Sequence, residues 1–144
     1  AKAVRNLRIV PRIALLSYSN FGSAEGADAQ KMAEAARILK ERHPDLIVDG
    51  EIQANFALND ELLAESFPFS TLRNKRVNTL IFPNLAAGNI AYKLLQEMAG
   101  VEVQGPVLLG MRQSFHILQM GSSVREIHDM VRLAVVDAQI KSNA

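Results

Sequence analysis

The sequence contains no cysteine, which excludes disulfide bonds and thiolate metal sites. The three histidines, His43, His116 and His128, are too scattered for a metal-ligand pattern such as H-x-x-x-H, so we expect no metal site. Sixteen basic and fifteen acidic residues leave a formal net charge of +1, and no basic stripe predicts nucleic-acid binding. No apolar run approaches the ~20 residues that span a bilayer, and none follows the basic N-terminal residues as in a signal peptide. We therefore expect no membrane partner and a soluble, cytoplasmic protein.

Hydrophobic residues make up 49% of the sequence, an ordinary value for a globular protein. The 144 residues are enough for one domain with a real core. The chain begins at Ala1, without an initiator methionine, and a strand is predicted soon after Pro11. We interpret residues 1–144 as one domain and as a piece of a longer protein.

Apolar runs and amphipathic segments alternate along the chain. Pro44 marks the end of the first amphipathic helix, and Gly100 is a plausible C-cap of the third. Ser123 and Glu126 have the spacing of a capping box at the start of the fourth. The predicted strands are residues 12–17, 46–48, 77–82 and 105–110, and the predicted helices are 24–42, 56–67, 86–99 and from 122 or 123 to the end. This alternation predicts an α/β fold with a largely parallel sheet flanked by helices.

In open α/β sheets, ligands bind beyond the carboxyl ends of the strands, near helix N-termini. The first predicted strand leads into Ser-Tyr-Ser-Asn-Phe-Gly-Ser, residues 17–23. Backbone N–H groups at the start of the next helix, together with Ser19 and Ser23, would suit an anion such as a phosphate. The alternative, favoured from composition alone, is a serine-rich loop with an N-cap.

Two further polar segments follow predicted strands. Asp49 and Glu51 are two residues apart and would share a face of an extended strand, where they could serve acid–base chemistry. Ordinary surface carboxylates are the favoured alternative. Asn84 is a natural N-cap, and Asn89 lies early in the third helix, where its amide could reach a ligand or face solvent. No nucleophile, dinucleotide or P-loop motif is present, and His116 and His128 are expected to be structural or surface residues.

Taken together, these segments resemble the phosphate acetyltransferase/phosphate butyryltransferase family over nearly the whole chain. The resemblance rests on Leu-Leu-Ser-Tyr-Ser-Asn-Phe-Gly-Ser from residue 15, Asp-Gly-Glu-Ile-Gln from 49, Phe-Pro-Asn-Leu from 82 and Gly-Pro-Val-Leu-Leu-Gly-Met from 105, in the same order and spacing. It implies the C-terminal portion of a longer α/β protein, dimeric in most members, whose cleft binds coenzyme A and acetyl phosphate.

Four positions depart from the pattern of the active transacetylases that the chain resembles. Those enzymes carry a serine and an arginine at the reacting phosphate, where this sequence has Gln119 and Met120, and Glu126 replaces a nearby aspartate. Loss of the guanidinium removes both the charge and the bidentate grip on phosphate, so the resemblance implies that acetyl transfer is lost. Asn55 replaces a further aspartate.

Such losses, together with the Ser-Tyr-Ser-Asn-Phe-Gly-Ser loop and the Pro-Asn-Leu segment, resemble the branch of the family that forms the C-terminal domain of hybrid NADP-dependent malic enzymes. That resemblance implies a regulatory domain without a cofactor of its own, which senses acetyl-CoA or a related acyl-CoA. It also implies upstream malic enzyme modules that use NADP and Mg or Mn, and a homo-oligomer. The expected ligand contacts are Ser17, Ser19, Asn20, Ser23, Gln53, Asn55, Asn84 and Asn89. Two alternatives stay open: an active phosphate acetyltransferase, and a structural oligomerisation domain with a dead pocket.

Overall fold

The computed structural model describes residues 1–101 and 103–142. The described elements are α1 (Lys2–Asn6), β1 (Arg12–Leu16), α2 (Ala27–Arg42), β2 (Ile47–Ile52), α3 (Ala54–Leu58), α4 (Asp60–Ser66), β3 (Thr79–Ile81), α5 (Leu85–Ala99) and α6 (Val124–Ser142). The chain divides into two compact units, the first comprising Ala1–Leu94 and the second beginning at Leu95. No helix in the described ranges is long and apolar enough to cross a membrane.

The first unit contains a parallel three-stranded sheet with the order β2-β1-β3. The central strand β1 pairs with both neighbours, and four of its five residues are buried, as expected for a strand covered on both faces. The prediction of an α/β fold with a largely parallel sheet flanked by helices is therefore confirmed.

Alternation along β1 divides the core of this unit into two clusters, because successive side chains of a strand point to opposite faces. Ile13 and Leu15 pack with the buried residues Met32 and Ala36 of α2 on one face. On the other face, Ala14 and Leu16 belong to a cluster with Ile52, Ala57, Leu63 and Leu72. The amphipathic pattern that predicts α2 thus supplies the apolar cover for one face of the sheet.

Some predicted boundaries are wrong. The helix predicted for residues 56–67 is two helices, α3 and α4, because Asn59 is extended and its side chain accepts a hydrogen bond from the Leu62 N–H at 3.0 Å, which starts a new helix. Helix α2 begins at Ala27, three residues later than predicted, after Gly26 with a φ of 145°. The short helix α1 was not predicted.

The second unit contains the end of α5 and the long helix α6. The predicted capping box is confirmed: Ser123 N–H donates to Glu126 Oε2 at 2.7 Å, and Glu126 N–H donates to Ser123 Oγ at 3.2 Å. The strand predicted for residues 105–110 is not formed, since this segment joins no ladder with any strand in the described residues. An apolar run forms a strand only where a neighbouring strand pairs with it through backbone hydrogen bonds. Pro106 in addition has no backbone N–H to donate to such a pair.

Candidate functional site

The carboxyl ends of the three parallel strands lie at the same edge of the sheet, and each is followed by residues expected to contact a ligand. The segments after β1 and β2 meet directly. Gln53 N–H donates to Asn20 Oδ1 at 2.8 Å, and Gln53 Nε2 donates to the Tyr18 carbonyl at 2.6 Å. Ser17 N–H donates to the Ile52 carbonyl at 2.9 Å. Two segments that are separate in sequence therefore form one polar surface at this edge.

The loop of residues 17–23, called the serine loop below, uses its own N–H groups internally. Ser19 N–H donates to Ser17 Oγ at 3.2 Å, Asn20 N–H to Ser23 Oγ at 2.8 Å, and Phe21 N–H to the Glu51 carbonyl at 2.8 Å. The predicted use of these groups as the anion site of a helix N-terminus needs correction, because α2 begins only at Ala27.

A carboxylate of the protein itself lies where the sequence predicts a bound anion. Glu51 is 3% exposed, and its Oε1 accepts hydrogen bonds from Ser19 Oγ at 2.8 Å and from Gly22 N–H at 2.6 Å. The Ser19 side chain is fully buried, and its oxygen also accepts from Ala24 N–H at 3.0 Å. Ser19 therefore has no surface to offer to a ligand in this conformation, whereas Ser17 is half-buried and Ser23 is exposed.

The interpretation of Asp49 and Glu51 as ordinary surface carboxylates is wrong, since both are buried. The two carboxylates also bind different partners. Asp49 Oδ1 accepts from Lys40 Nζ at 2.5 Å, and its Oδ2 accepts from Ser70 Oγ at 2.9 Å and Thr71 N–H at 2.8 Å. Asp49 thus joins α2 to the turn after α4, while Glu51 holds the serine loop.

The segment after β3 is tied to the start of α2. Asn84 Oδ1 accepts from Ala87 N–H at 2.9 Å, which confirms the predicted N-cap, and Asn84 Nδ2 donates to Asp28 Oδ2 at 3.0 Å. The hydrogen bond from Lys31 is the main cause that lowers the pKa of Asp28, and the Asn84 amide contributes in the same direction. This carboxylate is therefore held ionised beside the N-cap of α5.

Asn55 lies in α3 and Asn89 in α5, and both are exposed. Within residues 1–101 and 103–142, neither side chain takes part in a hydrogen bond of the fold. Their amides are consequently available to a ligand at no cost to the structure, unlike those of Asn20, Gln53 and Asn84, each of which also holds a loop or a helix.

Three of the four positions that depart from the active transacetylases, Gln119, Met120 and Glu126, lie in the second unit. The Met120 side chain is fully exposed, and Gln119 contributes its carbonyl to a turn with Ser122 N–H at 3.1 Å. The carboxylate of Glu126 caps α6. A cavity of about 440 Å³ adjoins this helix start, lined among others by Ser123, Arg125 and Glu126.

The two histidines of this unit differ in environment. The His116 side chain is 5% exposed, and its Nε2 lies 3.4 Å from Asp137 Oδ2. The His128 side chain is 67% exposed and lies beside Asp129. A hydrogen bond from Lys141 is the main cause that lowers the pKa of Asp137, so an anionic carboxylate faces His116.

Sequence reasoning missed the role of Glu51. The available indication was its position between the apolar Val48 and Ile52 in a strand that the topology buries. A carboxylate in such a place must find donors, because burial without them is costly. The serine loop supplies those donors from about thirty residues earlier in the chain.

The fold places the chain among the α/β proteins with a parallel sheet, and similarity to known proteins identifies its family. The family model described as "Phosphate acetyl/butaryl transferase" matches residues 1–135. The chain belongs to this family, as the resemblance of its motifs predicted.

Relatives within the family fall into two groups. The chain is 43% identical to an NADP-dependent malic enzyme of Haemophilus influenzae over 139 residues, which is 96% of this chain and 18% of that protein. It is 38% identical to a phosphate acetyltransferase of Clostridium acetobutylicum, covering 96% of this chain and 42% of that enzyme. The structure of a phosphotransacetylase from Streptococcus pyogenes superposes with a TM-score of 0.86 at 34% identity and covers 100% of this chain and 43% of its own. The chain therefore spans less than half the length of these relatives.

Proposed function

We propose that this chain is a regulatory, acyl-CoA-binding domain at the C-terminal end of an NADP-dependent malic enzyme, and that it does not itself transfer acetyl groups. The parent protein would oxidatively decarboxylate malate to pyruvate. NADP and a divalent Mg or Mn ion would be bound by its upstream modules. Acetyl-CoA, bound at the strand-end edge of this domain, would be the effector, and the parent would be a homo-oligomer.

The observation that carries this proposal is the pair Gln119–Met120. Acyl transfer from a phosphate needs fixed positive charge and donors where negative charge develops, and a thioether supplies neither. Met120 is fully exposed, and Gln119 contributes to a backbone turn. Glu126, at the position of the family aspartate, has its carboxylate engaged with the Ser123 N–H of the capping box. A group used in this way is poorly placed to exchange protons with a substrate.

The strand-end edge supports binding without turnover. Asn20, Gln53, Asn55, Asn84 and Asn89 all carry amides, which both donate and accept hydrogen bonds but titrate at no ordinary pH. Coenzyme A carries amide and carbonyl groups along its pantetheine arm, and an acyl-CoA adds a thioester carbonyl. Such groups are matched by neutral amides, whereas a reacting phosphoryl group calls for cations.

Regulation requires that acetyl-CoA bind two states of the parent with different affinity, and the coupling works equally in both directions. The test is malate-dependent reduction of NADP, with NAD in parallel, by the complete parent polypeptide while acetyl-CoA is titrated. We expect malic activity that shifts with acetyl-CoA, and no acetyl-CoA formation from acetyl phosphate and CoA. Turnover of acetyl phosphate would instead establish an active phosphate acetyltransferase.

The variant that tests the site most directly is Asn55→Ala, because Asn55 is exposed and holds nothing in the described structure. We expect it to weaken the response to acetyl-CoA while leaving basal malic activity and the unfolding midpoint unchanged. Asn6→Ala is the matched control, because Asn6 is an exposed asparagine of a short helix, α1, and is not among the expected contacts. If the oligomer of the parent depends on this domain but its malic activity does not respond to acetyl-CoA, the proposal is contradicted and the domain is a structural assembly domain.

A further inference from the structure

The buried carboxylate of Glu51 is bonded to the serine loop. Its Oε1 receives the Ser19 hydroxyl at 2.8 Å and the Gly22 N–H at 2.6 Å. Among residues 1–101 and 103–142, the ion pairs do not include Glu51, although the side chain is only 3% exposed. A buried charge without an ion pair is tolerated only where strong hydrogen-bond donors surround it. The loop is therefore the partner that this carboxylate requires.

The backbone of the serine loop has a conformation that is unfavourable without contacts from the rest of the fold. Phe21 has a φ of 48° and Gly22 a φ of 88°, so two successive residues are in the left-handed region. This conformation is unfavourable for a phenylalanine and persists only where surrounding contacts enforce it. The Phe21 N–H donates to the Glu51 carbonyl at 2.8 Å, and the Phe21 ring lies 5.0 Å from the rings of Phe67 and Phe69.

Asn20 immediately precedes this left-handed pair, so the position of its side chain depends on the loop conformation. Its Oδ1 accepts the Gln53 N–H, and its backbone N–H donates to Ser23 Oγ. With the inward donors of Ser19 and Gly22 taken by Glu51, an external anion cannot use the same donors. The side chains of the loop that are left for a ligand are those of Ser17, Asn20 and Ser23, none of which is buried.

We infer that Glu51 is the positioning residue of the acyl-CoA site, an internal anion that fixes the serine loop so that Asn20 faces the ligand. This inference rests on the proposed function for its ligand. Its structural part, that the carboxylate holds the loop, stands on the free protein alone. Glu51 itself touches no ligand in this proposal.

Two substitutions separate the charge of Glu51 from its hydrogen bonds. Glu51→Gln keeps an acceptor oxygen for both donors, since both bond to the same atom, and removes only the charge. Glu51→Leu removes the acceptor as well and leaves the Ser19 hydroxyl and Gly22 N–H unsatisfied. Asp49→Asn is the control for general destabilisation, because Asp49 is an equally buried carboxylate of the same strand whose partners lie outside the loop, so its loss should lower the stability of the fold without freeing the loop.

The first measurement is amide hydrogen exchange of residues 17–24 in the complete parent without ligand. We expect exchange at Gly22 and Ala24 to accelerate about tenfold or more in Glu51→Leu, by a few-fold in Glu51→Gln, and to be unchanged in Asp49→Asn. Equal acceleration in Glu51→Leu and Asp49→Asn would mean general destabilisation and would overturn the inference, as would wild-type exchange in Glu51→Leu.

The second measurement is the Kd for acetyl-CoA by titration calorimetry under conditions where each variant is folded. We expect about a tenfold weaker Kd in Glu51→Leu, partial retention in Glu51→Gln and the wild-type value in Asp49→Asn. An unchanged Kd in Glu51→Leu would overturn the role of Glu51 at the site. If the wild-type protein binds no acetyl-CoA, the proposed function and the ligand part of this inference fail together, while the exchange data still decide whether Glu51 holds the loop.

Discussion

Asp49→Asn should be among the most destabilising conservative substitutions in the first unit. Asp49 is 1% exposed, and both of its oxygens are in use. Oδ1 accepts from Lys40 Nζ and from Gly50 N–H, and Oδ2 accepts from Ser70 Oγ and from Thr71 N–H. An amide has only one oxygen, so in either orientation its NH₂ group faces at least two of the groups that donate to the carboxylate.

The size of the loss follows from these contacts. Hydrogen bonds to charged groups contribute about 1.5–3 kcal/mol each, and removal of one partner from a fully buried ion pair costs about 3–5 kcal/mol. The Lys40 side chain is 45% exposed and can turn to water, which reduces the second figure. We therefore expect Asp49→Asn to lower the free energy of unfolding by about 2–4 kcal/mol.

The assay is urea denaturation of the wild-type protein and of two variants, with the m-value required to stay constant. The control is Asp45→Asn, which removes a single ion pair with Arg5 from a carboxylate whose side chain is 66% exposed. Exposed pairs contribute at most about 1 kcal/mol, so this variant should unfold close to the wild-type midpoint. The reasoning is refuted if the two variants lose the same free energy within about 0.5 kcal/mol, a difference comparable to the effect of an ordinary surface substitution.

Two more predictions concern a glycine and an ion pair. Gly50→Ala should destabilise the protein far more than Gly110→Ala. Both glycines have a positive φ, but only at Gly50 would the new Cβ lie 2.5 Å from the backbone oxygen of Leu15. Equal unfolding midpoints of the two variants would contradict this prediction. Lys141→Met should remove stability that depends on the depressed pKa of Asp137. Because that pKa is lowered on folding, this part of the difference from wild type should be full above about pH 4 and should be lost as the pH falls through the folded-state pKa, whereas the bond from Lys141 Nζ to the Gln113 carbonyl contributes at every pH. A difference in unfolding midpoint that does not change with pH would refute this reasoning.

The elements that sequence patterns predict well are those decided by local chemistry. The predicted bounds of β1 agree with the structure to within one residue, the spacing of Ser123 and Glu126 predicts the capping box that forms, and Asn84 is the N-cap that its position predicts. Each depends on a few neighbouring residues whose propensity and hydrogen bonding agree. The strand predicted for residues 105–110 failed for the opposite reason, because strand formation depends on a partner that is distant in sequence.

The candidate site was predictable in its location and much less so in its contacts. The topology of a parallel sheet places the three polar segments at one edge, whichever residues they contain. Burial of Ser19 and Glu51 could not be derived in the same way, since it depends on one pair of residues 32 positions apart. The expected contact set therefore divides into residues that hold the edge and residues, such as Asn55 and Asn89, whose amides face outward.

The two buried carboxylates of β2 bear on the choice between a binding domain and an inert assembly domain. Buried ionic groups contribute little net stability, and well-packed apolar residues of similar volume often stabilise a protein more. A domain whose only role is to form an oligomer interface would gain stability from apolar side chains at positions 49 and 51. Glu51 instead fixes the serine loop, whose Asn20 meets Gln53 at the strand-end edge. Since an ordered edge reduces the entropy lost on binding, this arrangement favours a site that still receives a ligand. The Gln119–Met120 pair carries no charge, which agrees with the proposal that this domain binds an acyl-CoA without transferring its acyl group.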